Sequence, residues 1–387
     1  MTDGWHDPGL AGRQAAALEL VASAVGLSAG EQAAAAAAML DGGAVLGASG
    51  DRYEAFCRTF PLPSERRAQA VASHDEALAA QISGWFALRW AAQHTTGPDD
   101  NSVAGAVARL VAAMALPLTD LPELVGDHLG GSDPVTGALV VATINALAWH
   151  VEPGFGLVLS GQCSHPVVHV ALQAMVDTVG ERLLGLAGRG IGLRARADLT
   201  ATEHDGQVSY VSPGVRFMLA EDRIRSLLMG ENLYRRSGLA LRELYQNAVD
   251  ACRHRQARLD YLARTTDEPA DQWRPAVSFV QGCDDEGQFI ECVDNGIGMG
   301  LTEIRGAFCQ AGVRSADLPE YLAELADFAE LDPPVKLWTN SRFGIGALSY
   351  FMLADQITVT TTRTARDGTL SHTLRVHIPA AGAYFRI

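Results

Sequence analysis

A chain of 387 residues and 41.1 kDa exceeds what one hydrophobic core usually fills, which sets an expectation of two or three domains. Apolar side chains at 48% against 19% charged exclude wholesale disorder. Forty-five acidic against thirty basic groups leave a net charge of −15, which argues against a strongly electropositive binder of nucleic acid or anionic lipid.

The first ten residues, Met1 to Leu10, carry Asp3, His6 and Asp7 and no apolar signal-peptide core. The most apolar stretch, Ala138 to Trp149, is too short to span a bilayer and contains Thr143 and Asn145. Cysteines stand at 57, 163, 252, 283, 292 and 309 without a C-x-x-C pair, so reduced thiols are expected. The expectation is a soluble, cytoplasmic protein. Lys336 is the only lysine, the one candidate for lysine-dependent phosphate chemistry.

Residues 1–185 read as a mainly helical domain of unknown role. An alanine run at Ala33–Ala38 has high helix propensity. Apolar residues recur at helical spacing through Gln81–Ala92 and Val103–Leu116, with breaks at Gly97–Asp100 and Gly130–Pro134. Residues 186–214 read as connecting strands and a hinge, with alternation at Leu193–Thr200 and Gln207–Val211 and glycines at Gly188, Gly190 and Gly192. From 215 to 387 helices and strands alternate. Ser237–Ala263 is one long helical stretch. Ala276–Gln281 and Gln288–Val293 predict a hairpin, Glu320–Leu331 and Ser341–Leu353 predict helices, and Gln356–Thr364 with Thr369–Ile378 predict a second hairpin around Asp367-Gly368. The fold class is α+β, a helical domain followed by helices layered over strands.

Three segments carry chemistry. In Leu241–Ala251, Glu243, Asn247 and Asp250 are spaced i, i+4, i+7 and share one helix face. An amide oxygen is a hard ligand suited to Mg²⁺ on phosphates, and a carboxylate one turn away can orient and deprotonate water. An amphipathic helix with a solvated polar stripe explains the same letters. In Glu291–Met299, an apolar strand ends at Asp294, and Gly296 and Gly298 permit a tight turn beside it. A carboxylate there can accept from an exocyclic amine, while ordinary hairpin chemistry accounts for the run equally well. In Ser341–Phe351, Gly344 and Gly346 precede a helix whose exposed N–H groups can hold phosphate oxygens, although glycine also serves close packing.

Together and in this order the three segments resemble the nucleotide-binding boxes of the GHKL ATPase superfamily, most nearly those of the heat shock protein 90 family. The resemblance runs from about Val215 to His377. It implies a Bergerat-type two-layer α/β sandwich, with helices over a mixed, largely antiparallel sheet. It implies ATP and Mg²⁺ as ligands, Glu243 activating water, and Asn247 holding the metal. Asp294 would accept from the adenine amine, Gly296 and Gly298 would line the base, Met299 would pack on it, and Asp250 would lie beneath the nucleotide. Arg342, Phe343, Gly344, Ile345 and Gly346 would contact the phosphates, and residues from about Leu301 to Asn340 would form a lid. The activity implied is slow ATP hydrolysis driving a chaperone-like conformational switch, with ATP and ADP as ligands and a protein partner or client met by the helical half. A nucleotide-gated interaction module without hydrolysis is the alternative; a histidine kinase and a DNA-processing ATPase stand behind it. Dimerisation stays open.

Three departures stand out. Ser341 replaces the first glycine usual in the third box. Asp332-Pro333-Pro334 interrupts the lid segment. The final core strand is not evident before Ile387, which raises a truncated C-terminus. Outside the three segments, Ser73-His74-Asp75-Glu76 reads as a capped surface helix. Cys163, His165 and His169 read as ordinary side chains rather than a zinc site, and Arg253, Arg255 and Arg258 read as solvated arginines.

Overall fold

The computed structural model describes residues 5, 7–43, 77–78, 81–82, 84–85, 88, 102–129, 133–184, 186, 193–219, 237–266, 273–284, 287–311, 313, 318–338, 346–380 and 382–387. The chain divides into two compact units, Met1–Pro213 and Gly214–Ile387. The His74 segment and the glycines 188–192 lie outside the described residues.

The first unit opens with helices α1 (Leu10–Val25) and α2 (Ala29–Gly43). Gly26, in the left-handed region, ends α1 (φ 69°), and Ser28 with Glu31 forms a reciprocal capping box at the start of α2. Helix α3 (Val103–Met114) is capped by the Ser102 hydroxyl and α4 (Gly137–Asn145) by Thr136. Next come β1 (Ala148–Glu152), β2 (Gly156–Cys163), helix α5 (Pro166–Leu184) and β3 (Arg194–Ala201). Strand β2 is central, antiparallel to β1 and parallel to β3, with α5 as the crossover. The core joins Val21, Val107, Leu110, Met114, Leu157 and Val179. Two short strands, β4 (Glu203–His204) and β5 (Gln207–Val208), form a hairpin turned by Asp205-Gly206.

Helices predominate among the described residues before 185, and the sheet adds two strands, β1 and β2, that the sequence reading did not place. Strand β2 is buried along Gly156–Leu159, so its Leu-Val-Leu core reads as a bare apolar run with no alternation to distinguish a strand from a helix. The strand placed in the 186–214 connection, β3, is a full member of the same sheet.

The second unit begins with β6 (Met218–Leu219) and helix α6 (Ser237–Thr265). Hairpin β7 (Val277–Asp284) and β8 (Gly287–Asp294) follows. After it come the single turn α7 (Leu301–Glu303), a π-turn at Ile304–Phe308 and β9 (Gln310–Ala311), which pairs parallel with β6. Helix α8 (Pro319–Ala329), the short α9 (Gly346–Ser349), and hairpin β10 (Ile357–Thr364) with β11 (Leu370–Ile378) complete it. The described strands form several small sheets rather than one large one, so the fold is mixed α/β in a coarser sense than the resemblance implies.

Residues 384–386 supply a strand-like segment that the sequence did not reveal. Arg386 bridges His377 of β11, Tyr384 bridges Arg216, and the Phe385 N–H donates to the Val215 carbonyl. Phe385 is fully buried with Ile304, Val376 and Ile378. Each such side chain contributes roughly 1.5–3 kcal/mol. This core holds the base of the β10–β11 hairpin beneath the loop that follows β8.

Candidate functional site

Helix α6 positions the first segment. Glu243 is partly buried, and burial pushes its carboxyl above the ordinary range, opposed by the neighbouring Arg242 guanidinium. Among the described residues no group hydrogen-bonds to that carboxylate. One turn on, Asn247 Nδ2 donates to the Tyr350 hydroxyl at 2.6 Å, and Asn247 Oδ1 has no partner among the described residues. Asp250 accepts from Arg253 at 3.3 Å.

The second segment is pressed directly onto this helix. The Ile297 N–H donates to the Ala251 carbonyl. A Cβ on Gly296 would come within 2.5 Å of the Ala251 carbonyl carbon, so only glycine lets the turn approach this closely. Gly298 has φ +68°, and a Cβ there would lie 2.0 Å from the Thr362 carbonyl oxygen of β10. On that side Met299 is held by its N–H donating to the Thr361 hydroxyl at 2.8 Å. Arg363 donates to the Gly298 carbonyl and pairs with Glu303, whose other oxygen accepts from the Gly300 N–H. The turn is thus clamped between α6 and β10.

Asp294 ends β8 at the start of that turn. Its Oδ1 accepts from the Gly296 N–H at 2.8 Å, while Oδ2 meets no donor among the described residues. Burial pushes this carboxyl up, partly offset by the Gly296 hydrogen bond. Cys292, on the same strand face, has its thiol pushed up to about 11 by burial and by the Asp294 charge.

Of the third segment, residues 341–345 (Arg342, Phe343, Gly344 and Ile345 among them) lie outside the described residues. Gly346 begins α9, and the turn after it, Tyr350–Met352, delivers Tyr350 to α6. Burial pushes the Tyr350 phenol up, the Asn247 hydrogen bond lowers it, and the Glu243, Cys292 and Asp294 charges raise it further. One buried tyrosine of the third segment thus lies within electrostatic reach of groups from the other two.

These donors suit a magnesium nucleotide. Among the described residues Asn247 Oδ1 and Asp294 Oδ2 meet no donor, and one is suited to a cation and the other to an amine. One carboxamide oxygen fills a single position of a magnesium shell, leaving the remainder to phosphate oxygens and water. A nearby groove of about 480 Å³ is lined by Leu241, Arg242, Phe279, Val280, Gln281 and Ile290. It includes none of Glu243, Asn247 and Asp294, and its walls are mostly apolar.

Two sequence expectations change here. Residues 319–338 of the expected lid are fastened to the C-terminal half of α6. Glu324, on α8, is 5% exposed and bonds both His254 and the guanidinium of Arg258. Tyr321 stacks edge-on to His254, Phe328 lies against Tyr261, and Arg264 donates to the Pro333 carbonyl. Two arginines read as solvated are engaged: Arg258 is 3% exposed, and Arg255 covers Trp273 and donates to the Asn295 carbonyl, while Arg253 is exposed and pairs with Asp250. In the first unit, His169 meets the Tyr210 hydroxyl at 2.8 Å and His165 accepts from the Val167 N–H. Burial pushes the Cys163 thiol up to about 12. Among the described residues no cluster of His, Cys, Asp and Glu fits a metal ion, and no helix is long and apolar enough to cross a membrane.

Comparison with known proteins gives two separate results. A family model described as iHD-CE matches residues 100–200, within the first unit. The chain is also 35% identical over 142 residues to the chaperone protein HtpG of Nitrobacter winogradskyi, which is 35% of this chain and 20% of that protein. The similarity to HtpG is distant and partial. It is 33% over 143 residues for HtpG of Rhizobium meliloti, covering 36% of this chain and 21% of that protein. For HtpG of Rickettsia rickettsii it is 32% with the same shares. The chain spans about a fifth of the length of the curated relatives it matches. No solved structure matches.

Proposed function

We propose that residues 214–387 bind ATP with Mg²⁺ and hydrolyse it slowly, and that the chain acts as an ATP-driven conformational switch related to the HtpG chaperones. The observation that carries the reading is the nearness of Glu243, Asn247 and Asp294 to Tyr350, with acceptors that meet no donor among the described residues. The distant HtpG similarity supports it. In this reading Asp294 Oδ1 is tied to the turn, which leaves Oδ2 to accept from the adenine amine. The clamp on Gly298 and Met299 gives the base a fixed wall. Asn247 Oδ1 takes one position on the cation, and Asp250 lies one turn deeper. Magnesium, when bound, neutralises phosphate charge. Glu243 orients water and takes its proton; burial makes it a stronger base than an exposed glutamate. Arg342, Phe343, Gly344, Ile345 and Gly346 take the phosphates, a role that rests on the sequence alone. The first unit is the part that meets a protein partner.

Single-turnover phosphate release with Mg²⁺ tests the catalytic half of this reading. Wild-type release above a Glu243→Ala background is the expected result. Identical release from the two proteins reduces the function to nucleotide-gated binding.

A further inference from the structure

The proposed cation ligand, Asn247, does not stand free on its helix. A carboxamide has a donor end and an acceptor end of nearly the same shape, and only the acceptor end can face a cation. Left unrestrained, the group can turn its NH₂ toward the metal. Here the NH₂ is held by the Tyr350 hydroxyl at 2.6 Å, across 103 residues of sequence, and Oδ1 is left without a partner among the described residues. Tyr350 is itself fixed. It is 9% exposed, it opens the 3₁₀ turn Tyr350–Met352, and its carbonyl accepts from the Leu353 and Ala354 N–H groups.

We propose that Tyr350 is a positioning residue for the metal ligand: its hydroxyl captures the Asn247 amide hydrogen and thereby presents Oδ1 to the cation of a bound magnesium nucleotide. The inference rests on the nucleotide-binding reading above and goes beyond it. Tyr350 immediately follows the helix that begins at Gly346, so the hydrogen bond also joins the phosphate-side segment to the metal ligand. A shift of α9 in response to the phosphates would then move the group that orients Asn247.

The test is a cycle of Tyr350→Phe, Asn247→Ala and the double variant in the full chain. ADP affinity is measured by calorimetry in Mg²⁺ and again in EDTA. Losing an outer-shell partner of a metal ligand commonly costs about 10–100-fold in metal affinity. Tyr350→Phe is therefore expected to shrink the affinity gain from Mg²⁺ by at least about tenfold, to leave affinity in EDTA unchanged, and to add nothing in the Asn247→Ala background. A Tyr350→Phe protein with the full wild-type magnesium gain overturns the inference while leaving nucleotide binding intact. So does an equal loss with and without Mg²⁺, which marks a purely structural tyrosine. Wild-type protein that binds no ADP overturns the functional reading and this inference together. A second readout covers a variant that folds poorly: the Asn247 side-chain amide protons of the wild type, assigned by their absence in Asn247→Ala. One displaced, slowly exchanging proton is expected, and two protons behaving as in an exposed asparagine contradict the hydrogen bond.

Discussion

The two halves of helix α6 handle polarity in opposite ways. In its N-terminal half, Glu243 and Asn247 Oδ1 are partly buried acceptors that meet no donor among the described residues. In its C-terminal half, His254 and Arg258 are 7% and 3% exposed, and both bond Glu324 of α8. A buried charge is tolerated when it is paired and satisfied. In the proposed reading, the acceptors left open a turn or two away, and the one at Asp294 across the glycine turn, are met by the bound nucleotide and its cation. On the proposed function, one helix serves as a ligand wall at one end and as a structural anchor at the other.

The sharpest way to break this contrast is to exchange its expected consequences. Glu243→Ala is expected to keep nucleotide affinity and lower turnover by about 10²–10⁴-fold, the range for a positioned acid–base group, as read by phosphate release. Unchanged turnover removes Glu243 from the mechanism. Arg258→Met is expected to do the reverse. It leaves Glu324 partly unpaired in the interior and should destabilise the second unit by about 3–5 kcal/mol, read by denaturant unfolding. A stable Arg258→Met protein would show that the anchor is not one.

Asp294→Asn is a smaller test of the ligand end. It is expected to weaken adenine nucleotides by about 1–3 kcal/mol with little loss of fold stability, because an NH₂ replaces the oxygen proposed to accept from the adenine amine. Acid should act on the anchor end. Burial lowers the His254 pKa below 6.5, only partly offset by Glu324, so the unfolded chain takes up a proton there that the folded unit resists. Burial raises the Glu324 pKa, but the hydrogen bonds from His254 and Arg258 outweigh this and hold it at about 2 against an ordinary 4.5. Stability contributed by Glu324 is present above pH 4.5 and is lost as pH falls toward about 2. Stability of the second unit is therefore expected to drop in two stages on acidification, and Glu324→Gln should flatten the lower one. Arg253→Ala, which removes an exposed i,i+3 pair, should change stability by less than about 0.5 kcal/mol.

Much of this site could be read from letters because its logic is local. The i, i+4, i+7 spacing places Glu243, Asn247 and Asp250 on one helix face, and Asp294 followed by two glycines marks a turn with a carboxylate at its rim. Nonlocal facts were hidden. Tyr350 stands in the third segment, but nothing in its neighbours announces a hydrogen bond to Asn247. The buried partners of Arg258, Glu324 on α8 and the Thr364 carbonyl on β10, lie far along the chain, so a charged stripe looked solvated. Strand β2 lost its alternation by being buried, and the segment at 384–386 pairs through single bridges too short to leave a period.

The central claim is that α6, the Asp294–Gly298 turn and the α9 region wall one adenine-nucleotide site. Calorimetric titration of the wild-type chain with ADP and with GDP, both in Mg²⁺, tests it most directly. Saturable one-to-one binding of ADP, with GDP weaker by about tenfold or more as expected for a base read through a carboxylate acceptor, is the result this account requires. Equal affinity for the two nucleotides, or no binding of either, contradicts it.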